Sequence, residues 1–450
     1  MRKLRILLVV ALLAFCGAVA AAAPWQVGLA KTEITPQSPV WMAGYAARTH
    51  PSEGTVHPLW AKVLVIDGEG RRVAIVTADL IGFTRDVSDA IARRVARQTS
   101  LERGQIVFNA SHTHCGPVVL GCADIAHHME ADDVAAAKAY REWLVERVVE
   151  TIVRAAGAMR PAILTYGEGE ATFASNRRAR RGKDFVISPN AAGPVDHVVP
   201  VLRIGDESGK PLAVLFGYAC HNTTLGGDFY QFNGDYAGFA QIDVEARHPG
   251  VTAMFMAGCG ADSNPQPRGQ LELAEAHGKA LGAAVDEVLS KDLAPIAGPI
   301  TVAMERVDLP FVDPPTKEEL EAGRGQGTVY QQRLTELLLK RIAEQGHVDR
   351  AYPYPVQVVR FGDDLTLVAL AGEVVVDYAL RLRKEYEGKR LWIAGYSNEV
   401  FAYLPSERIL TEGGYEGGGA MVYFGWHGPF RPGVEDLVVG LTKKLVDGGK

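Results

Sequence analysis

The stretch Ile106-Val-Phe-Asn-Ala-Ser-His-Thr-His-Cys-Gly-Pro117 joins a short apolar strand to a polar loop that carries two histidines. In an extended chain, side chains two positions apart point the same way, so His112 and His114 are expected to face one side together. Ligands bind at strand ends in α/β sheets, and imidazole is the commonest metal-binding side chain. The alternative interpretation is a pair of hydrogen-bonded loop histidines.

Several other predicted strands also end in polar groups. They are residues 212–219 followed by His221, residues 251–257 followed by Asp262 and Ser263, residues 356–371 followed by Glu373, and residues 391–394 followed by Tyr403. Each has a plainer interpretation alone, such as a core histidine or a carboxylate that favours a helix N-terminus. Together they predict one cleft with nitrogen and oxygen ligands and an open position, which is the arrangement of a catalytic zinc.

The rest of the pattern is an alternation of apolar strands and amphipathic helices. One helix places Val87, Ile91 and Val95 on one face, and a longer helix is predicted from about residue 132 to residue 156. Tight turns at residues 68–70 and 362–364 join strand pairs, which requires antiparallel pairing. We therefore expect an α/β fold of mixed β-sheets flanked by helices, with the active site at the strand ends.

The N-terminus is typical of an exported protein. Residues 1–23 combine a basic start, a short apolar core and small residues before the expected cleavage point, so we predict a signal peptide. An uncleaved anchor is the alternative. The expected mature chain, residues 24–450, would be periplasmic or secreted, and we treat it as one catalytic domain. Its four cysteines are either small buried hydrophobes or, for Cys115 and Cys122, a disulfide pair.

Composition excludes some classes of function. Of the 450 residues, 47% are apolar and 22% are charged, which is typical of a globular protein. Removal of the signal peptide changes the net charge from −6 to −9, which disfavours a nucleic-acid partner. The arginine run at residues 177–181 is interpreted as a solvated loop, with a basic rim that faces a membrane as the alternative.

The complete set of motifs resembles the catalytic domain of the neutral/alkaline non-lysosomal ceramidase family. The similarity rests on several segments of the mature chain. They are Val27-Gly-Leu-Ala-Lys-Thr-Glu-Ile-Thr-Pro36, Met42-Ala-Gly-Tyr-Ala46, Ala78-Asp-Leu80, Ser111-His-Thr-His-Cys-Gly-Pro117, Asn176-Arg177, Asn233-Gly-Asp-Tyr-Ala-Gly238 and the stretch from Tyr403 to Gly418.

This resemblance implies a set of site residues. His112, His221, Glu373 and Tyr403 fall on the zinc ligands of the family, and His114 falls beside the metal. Ser263 falls on the serine treated as catalytic, as a nucleophile or as a group that positions water. Arg177 and Tyr415 fall on residues that line the scissile amide. The implied reaction is zinc-dependent hydrolysis of the N-acyl amide of ceramide to a fatty acid and a sphingoid base.

The chain also departs from the family pattern. The family motif Gly-Asp-Val-Ser-Pro-Asn is replaced by Gly260-Ala-Asp-Ser-Asn-Pro265, so the aspartate is shifted by one position. The alternatives to a ceramidase are a zinc amidase for another N-acyl lipid or a small N-acyl amine, and a non-catalytic exported binding protein. An enzyme that hydrolyses lipid amides would also make peripheral contact with membranes.

Overall fold

The computed structural model describes residues 25–448, so the predicted signal peptide lies outside the described residues. Strands are numbered in chain order: β1 Trp25–Glu33, β2 Gly54–Thr55, β3 Trp60–Gly68, β4 Arg71–Ala78, β5 Ile106–Ala110, β6 Arg160–Glu170, β7 Ala174–Arg181, β8 Asp184–Asn190, β9 Val198–Gly205, β10 Pro211–Tyr218, β11 Gln231–Phe232, β12 Thr252–Ala257, β13 Ser263–Pro265, β14 Ala294–Pro295, β15 Ile300–Pro310, β16 Ala351–Phe361, β17 Leu365–Leu370, β18 Glu373–Val374, β19 Leu391–Ala394 and β20 Tyr403–Leu404.

The helices are numbered in the same way: α1 Arg85–Ala96, α2 Ala131–Gly157, α3 Asp235–Arg247, α4 Leu271–Leu289, α5 Lys317–Ala322, α6 Val329–Gln345, α7 Val376–Glu385, α8 Glu407–Glu412 and α9 Val434–Val446. The prediction of α2 is confirmed to within one residue at each end. Its buried stripe includes Tyr140, Leu144, Val148 and Ile152, which are spaced to lie on one face of a helix.

Two sheets form the centre of the molecule. The larger has nine strands in the order β12-β10-β9-β6-β1-β3-β4-β5, with β14 paired to β6, and the smaller has the order β15-β16-β17-β19. Most neighbours are antiparallel, but β4–β5, β10–β12 and β17–β19 are parallel. The expected α/β fold with mixed sheets is therefore confirmed.

The apolar faces of the two sheets and of the helices determine how the layers stack. One apolar cluster lies between the two sheets and includes Val27, Met254, Phe361 and Trp392. The outer face of the large sheet packs on α1 and α2 in one cluster and on α3 and α4 in another. The outer face of the small sheet packs on α7 and α9. The result is four layers in the order helix, sheet, sheet, helix.

One local prediction is wrong, and one of two alternatives for the cysteines is excluded. The arginine run is not a solvated loop: it belongs to the β7–β8 hairpin, and the side chain of Arg178 is buried. The segment 317–345 forms two helices, α5 and α6, which are separated by a stretch that contains Gly323, Gly325 and Gly327. Cys115 and Cys122 do not form a disulfide, since all four cysteines of the described chain are free and buried.

A helix that crosses a bilayer needs about 20 consecutive, predominantly apolar residues. None of the helices between residues 25 and 448 is long and apolar enough to cross a membrane.

The contact between β1 and α2 gives a test of the fold. A Cβ atom at Gly28 would lie 1.8 Å from the backbone oxygen of Ala155 in α2, so the helix would have to move. We expect Gly28→Ala to lower the free energy of unfolding by about 2–3 kcal/mol, measured by urea denaturation. Gly54→Ala is the control, because its Cβ would meet nothing closer than 3.9 Å. An equal loss in both variants would contradict this packing.

Candidate metal centre

The carboxyl ends of the strands deliver the candidate site residues to one place. His112 follows β5, His221 follows β10, and Glu373 stands in β18 just after β17. Tyr403 lies in β20, which pairs in parallel with β18 so that Tyr403 is opposite Glu373. Isolated bridges join the segments at these strand ends, Thr113 to Asn222 and Asn109 to Ser397, and so bring the ends of β5, β10 and β19 together.

The four predicted ligands present their donor atoms to a common point. Glu373 Oε2 lies 3.2 Å from His112 Nε2 and 3.0 Å from His221 Nε2. Tyr403 Oη lies 3.3 Å from His221 Nε2. Ligands about 2.0–2.1 Å from a tetrahedral zinc are about 3.3–3.4 Å from one another. The spacing of the donor atoms therefore fits one small divalent cation.

Hydrogen bonds behind the two histidines select the nitrogen that faces this point. His112 Nδ1 donates to the backbone oxygen of Ile81 at 2.6 Å, and His221 Nδ1 donates to that of Gly260 at 3.0 Å. A carbonyl oxygen can only accept, so both rings carry their proton on Nδ1 and leave Nε2 free as a ligand. Metal-binding histidines nearly always have such a partner.

Strained backbone accompanies the site. His112 has a φ of 61° and Tyr396 a φ of 49°, in the left-handed region that side chains rarely occupy. The two rings stack with centroids 4.4 Å apart, so each holds the other in place. Such conformations persist where the surrounding structure forces them, and they cluster at functional sites.

The protonation states of the ligands favour a cation. Burial would raise the pKa of Glu373, but His112 and His221 outweigh it and hold this pKa well below its usual value. The carboxylate is therefore ionised. Burial, with a contribution from Arg177, lowers the pKa of His221 to about 4, so this imidazole is neutral at pH 7. Neutral imidazole and ionised carboxylate are the forms that bind metals.

A buried ionic network stands behind Tyr403. Burial raises the pKa of Tyr403 well above its usual value, and Arg177 opposes that rise. Arg177 donates from Nη2 to Tyr403 Oη at 2.9 Å and from Nε to Glu416 at 2.8 Å. Glu416 also accepts from Arg178 at 2.5 Å. The phenol is protonated when no cation is bound, and Arg177 is placed to stabilise its anion.

His114 lies beside the four donors but differs from the two ligating histidines. Its Nε2 is 3.2 Å from His112 Nε2, and the three imidazoles together form a group that could hold a metal. Its Nδ1 is buried and has no hydrogen-bond partner among the described residues. Burial lowers its pKa well below the usual value. Because His114 lacks a carbonyl partner, it is a weaker candidate ligand than His112 or His221.

The donors open into a cavity of about 300 Å³. Among the predicted residues, His112, His114, Arg177, Glu373, Tyr403 and Tyr415 line it, whereas His221 is fully buried beneath it. Much of the remaining wall is apolar and includes Ile81, Ala126, Ile187 and Phe424. His127 is buried and lines the wall as well. The arrangement combines a metal centre with an apolar binding space.

The predicted catalytic residue Ser263 does not line this cavity. Its side chain is fully buried, and its hydroxyl has no partner among the described residues. The next residue, Asn264, lines the cavity instead, because successive side chains of β13 point to opposite faces. Asp262 accepts from the backbone N–H of Val376 at 2.9 Å and so holds the start of α7. The geometry argues against Ser263 as a nucleophile.

Asn264 is oriented by its neighbours. Its Oδ1 lies 3.3 Å from Arg177 Nη1 and 3.2 Å from Thr223 Oγ1. A guanidinium can only donate, so the amide oxygen must face Arg177 and the amide N–H₂ group is left for a ligand. The shifted aspartate of the Gly260–Pro265 motif was the one sequence signal for this residue. Aligning Asp262 with the family aspartate puts Asn264 at the serine position and Pro265 at the proline.

Comparison with known proteins agrees with this geometry. A sequence model described as "Neutral/alkaline non-lysosomal ceramidase, N-terminal" matches residues 25–268, more than half of the chain. The chain belongs to this family. The matched range includes His112, His114, Arg177 and His221 but ends before Glu373 and Tyr403.

Curated neutral ceramidases are similar to this chain in sequence. The neutral ceramidase of Pseudomonas aeruginosa is 27% identical over 243 residues, and neutral ceramidase A of Dictyostelium discoideum is 25% identical over 265 residues. These matches cover 52% and 54% of this chain but only 36% of each relative. The matched region is thus about a third of the relatives' own length.

Solved ceramidase structures share the fold over a longer range. A crystal structure of the Pseudomonas aeruginosa neutral ceramidase superposes with a TM-score of 0.71, at 22% identity, over 94% of this chain and 75% of that one. A ceramidase described as complexed with C2 gives the same TM-score at 21% identity. The four-layer fold is therefore that of the neutral ceramidase structures.

Metal analysis would test the centre. We expect the purified protein to hold about one zinc per chain after dialysis, and His112→Ala or Glu373→Gln to hold less than about a tenth of that, because each loses one of four donors. His248→Ala is the matched control, since that imidazole bonds to Asp286 at 2.9 Å away from the site. Full zinc content in His112→Ala would contradict the assignment.

Proposed function

We propose that the chain is a zinc-dependent hydrolase that cleaves the N-acyl amide bond of ceramide to a fatty acid and a sphingoid base. The observation that carries this proposal is the set of four donor atoms at the base of a largely apolar cavity, each of which lies 3.0–3.3 Å from at least one other. Family membership supports the reaction class, and the names of the relatives supply ceramide as the first substrate to test.

The donor set supports zinc in particular. Two imidazoles and one carboxylate, without a thiolate, are a known ligand set of catalytic zinc, and the phenol of Tyr403 is the fourth donor. When bound, zinc would supply a Lewis acid for the amide carbonyl and would lower the pKa of water to about 7. The protein supplies the rest of the chemistry: substrate orientation, stabilisation of the oxyanion and proton transfer.

We assign stabilisation of the oxyanion to Arg177, Tyr403 and Asn264. Arg177 and Asn264 line the cavity next to the metal centre and are hydrogen-bonded to each other at 3.3 Å. The amide N–H₂ of Asn264 faces the space in which the carbonyl oxygen of a substrate would lie. Donors held in advance at such a position stabilise the charge that develops on that oxygen.

Proton transfer is assigned to His114. Its ring is neutral and buried 3.2 Å from His112 Nε2, so it can accept a proton from the attacking water. The C–N bond then breaks, and the same proton passes to the leaving nitrogen to give a free amine and a carboxylic acid. Tyr415, whose ring centroid lies 5.3 Å from that of Tyr403, would hold the substrate beside the scissile bond.

The site also supports peripheral contact with lipid surfaces. Ile187 of the β7–β8 hairpin lines the cavity and is 49% exposed, so an apolar residue stands at the cavity mouth. The tip of the same hairpin carries Arg180, Arg181 and Lys183, which are attracted to anionic headgroups. Export through a signal peptide at residues 1–23 stays part of the proposal.

The second candidate is a zinc amidase for a smaller N-acyl amine. Two observations favour it. The cavity volume, about 300 Å³, lies at the lower end of the range for small-molecule sites. An arginine in the cavity wall, Arg268, forms no ion pair within residues 25–448. A long-chain ceramide would leave much of its two chains outside this cavity. Substrate size therefore separates the two candidates.

An assay of fatty-acid release tests the proposed function. We expect the zinc-loaded protein to release fatty acid from a short-chain ceramide, and a chelator to reduce the rate at least about a hundredfold until zinc is restored. Mass spectrometry of the free acid is the measurement, with His112→Ala as the inactive control. No release from any ceramide would reject ceramide as substrate, and no release from any N-acyl amine would reject the reaction class.

The two neighbouring residues of β13 give a matched pair. We expect Asn264→Ala to lower kcat about a hundredfold, because it removes a donor to the oxyanion. Ser263→Ala should keep kcat within about threefold, because the buried hydroxyl faces away from the cavity. Steady-state kinetics on the best substrate, with thermal unfolding to check the fold, is the measurement. A larger loss in Ser263→Ala than in Asn264→Ala would restore the serine assignment.

A further inference from the structure

Two arginines line the cavity, and their charges are balanced differently. Arg177 bonds to Glu416 at 2.8 Å and is buried. Arg268, in the part of the cavity wall formed by the segment after β13, forms no ion pair within residues 25–448. Its one side-chain hydrogen bond there is from Nη2 to Tyr45 Oη, at 3.2 Å. One positive charge of the wall is therefore left without a carboxylate.

The charge of Arg268 acts on the carboxylate of Asp235, but the oxygens of Asp235 already accept other hydrogen bonds. Arg268 lowers the pKa of Asp235, although burial is the larger effect and raises it. The oxygens of Asp235 accept from the backbone N–H of Leu225 at 3.1 Å and of Tyr236 at 2.6 Å. Asp235 thus holds the start of α3 and does not bond to the guanidinium.

Tyr45 directs the guanidinium relative to the reactive centre. The Tyr45 hydroxyl donates to the backbone oxygen of Leu225 at 2.6 Å, so it can only accept from Arg268. The ring of Tyr45 lies 4.8 Å, centroid to centroid, from that of His114. The ring of Tyr45 therefore separates Arg268 from His114. Four of the five N–H donors of Arg268 make no hydrogen bond to the described residues.

The segment that carries Arg268 is held in place by backbone hydrogen bonds. Gln266 N–H donates to the backbone oxygen of Phe173 at 2.8 Å, and Gly269 N–H donates to that of Thr224 at 2.7 Å. His277 of α4 lies 2.7 Å from the backbone oxygen of Pro267, to which its Nε2 donates. The guanidinium is thus mounted on an ordered part of the wall and not on a free loop.

We propose that Arg268 binds a negatively charged oxygen group of the substrate, and that the preferred substrates are compact N-acyl compounds that carry a carboxylate. A guanidinium in a largely apolar cavity is stabilised by a planar anion, to which it can donate two parallel hydrogen bonds. The inference rests on the proposed amide hydrolysis for the identity of the reaction. It specifies the substrate class of the second candidate function, the amidase for smaller N-acyl amines, as anionic compounds such as N-acyl amino acids.

A pair of substrates that differ only in charge tests the proposal. N-octanoyl-glycine and N-octanoyl-glycinamide have the same acyl chain and nearly the same shape. We expect the zinc-loaded protein to have a kcat/KM for the carboxylate at least about tenfold above that for the carboxamide, because hydrogen bonds to charged groups are the stronger ones. In Arg268→Gln this ratio should fall to about one, and Arg268→Lys should keep part of it.

A control variant and a binding measurement distinguish failure of the proposed reaction from failure of the proposed ligand class. Arg71→Gln removes the same charge from an exposed position at the far end of β4 and should keep the full ratio. Calorimetric binding of both compounds is measured in parallel, with thermal unfolding as the check on folding. If neither compound nor any ceramide is cleaved but the carboxylate binds more tightly through Arg268, the proposed reaction fails and the ligand class stands. Equal binding and equal kcat/KM for both compounds, or an unchanged ratio in Arg268→Gln, would overturn the proposal.

Discussion

The buried side-chain amide of Asn109 holds together the strand ends on which the site depends. Its Nδ2 donates to the backbone oxygens of Gly395 at 2.8 Å and Ala257 at 3.3 Å, and its Oδ1 accepts from Ala257 N–H at 2.8 Å. These bonds tie β5 to the end of β12, the other edge of the large sheet, and to the end of β19 in the small sheet. A buried amide that lost these partners would be costly, so the three ends have one stable arrangement.

The metal centre is built from groups that are expensive to bury separately. Glu373 lies within 3.2 Å of the Nε2 atoms of two imidazoles, and Arg177 is tolerated below the surface because Glu416 and Tyr403 accept its hydrogen bonds. The charge of Arg177 is compensated by Glu416, which comes from a distant part of the chain. Breaking one such pair leaves the other charge uncompensated, which makes the network intolerant of single substitutions. Arg268, by contrast, is only partly buried and forms no ion pair within residues 25–448.

Membership in the ceramidase family and the local structure inform different parts of the function. The shared fold and the histidine motif support metal-assisted hydrolysis of an amide. Two features of the cavity wall bear on the substrate: an asparagine amide in place of the expected serine hydroxyl, and a guanidinium beside Tyr45 that forms no ion pair with the described residues. The roles proposed for Asn264 and Arg268, stabilisation of the oxyanion and binding of the substrate charge, both rest on hydrogen-bond donation without a covalent intermediate.

The sequence by itself was sufficient for the elements and for the residue types of the site, because periodicity and strand-end motifs are local. The helix at residues 131–157, the strand before His112 and the donors His112, His221, Glu373 and Tyr403 could all be proposed from it. The sequence could not predict which face of β13 points into the cavity, because a shift of one residue exchanges Ser263 for Asn264. The sequence also could not predict the burial of Arg178 and His127, because their hydrogen-bond partners lie more than 200 positions away along the chain. Tertiary structure alone decided these points, since only the packed sheets determine which polar groups meet and which remain unpaired.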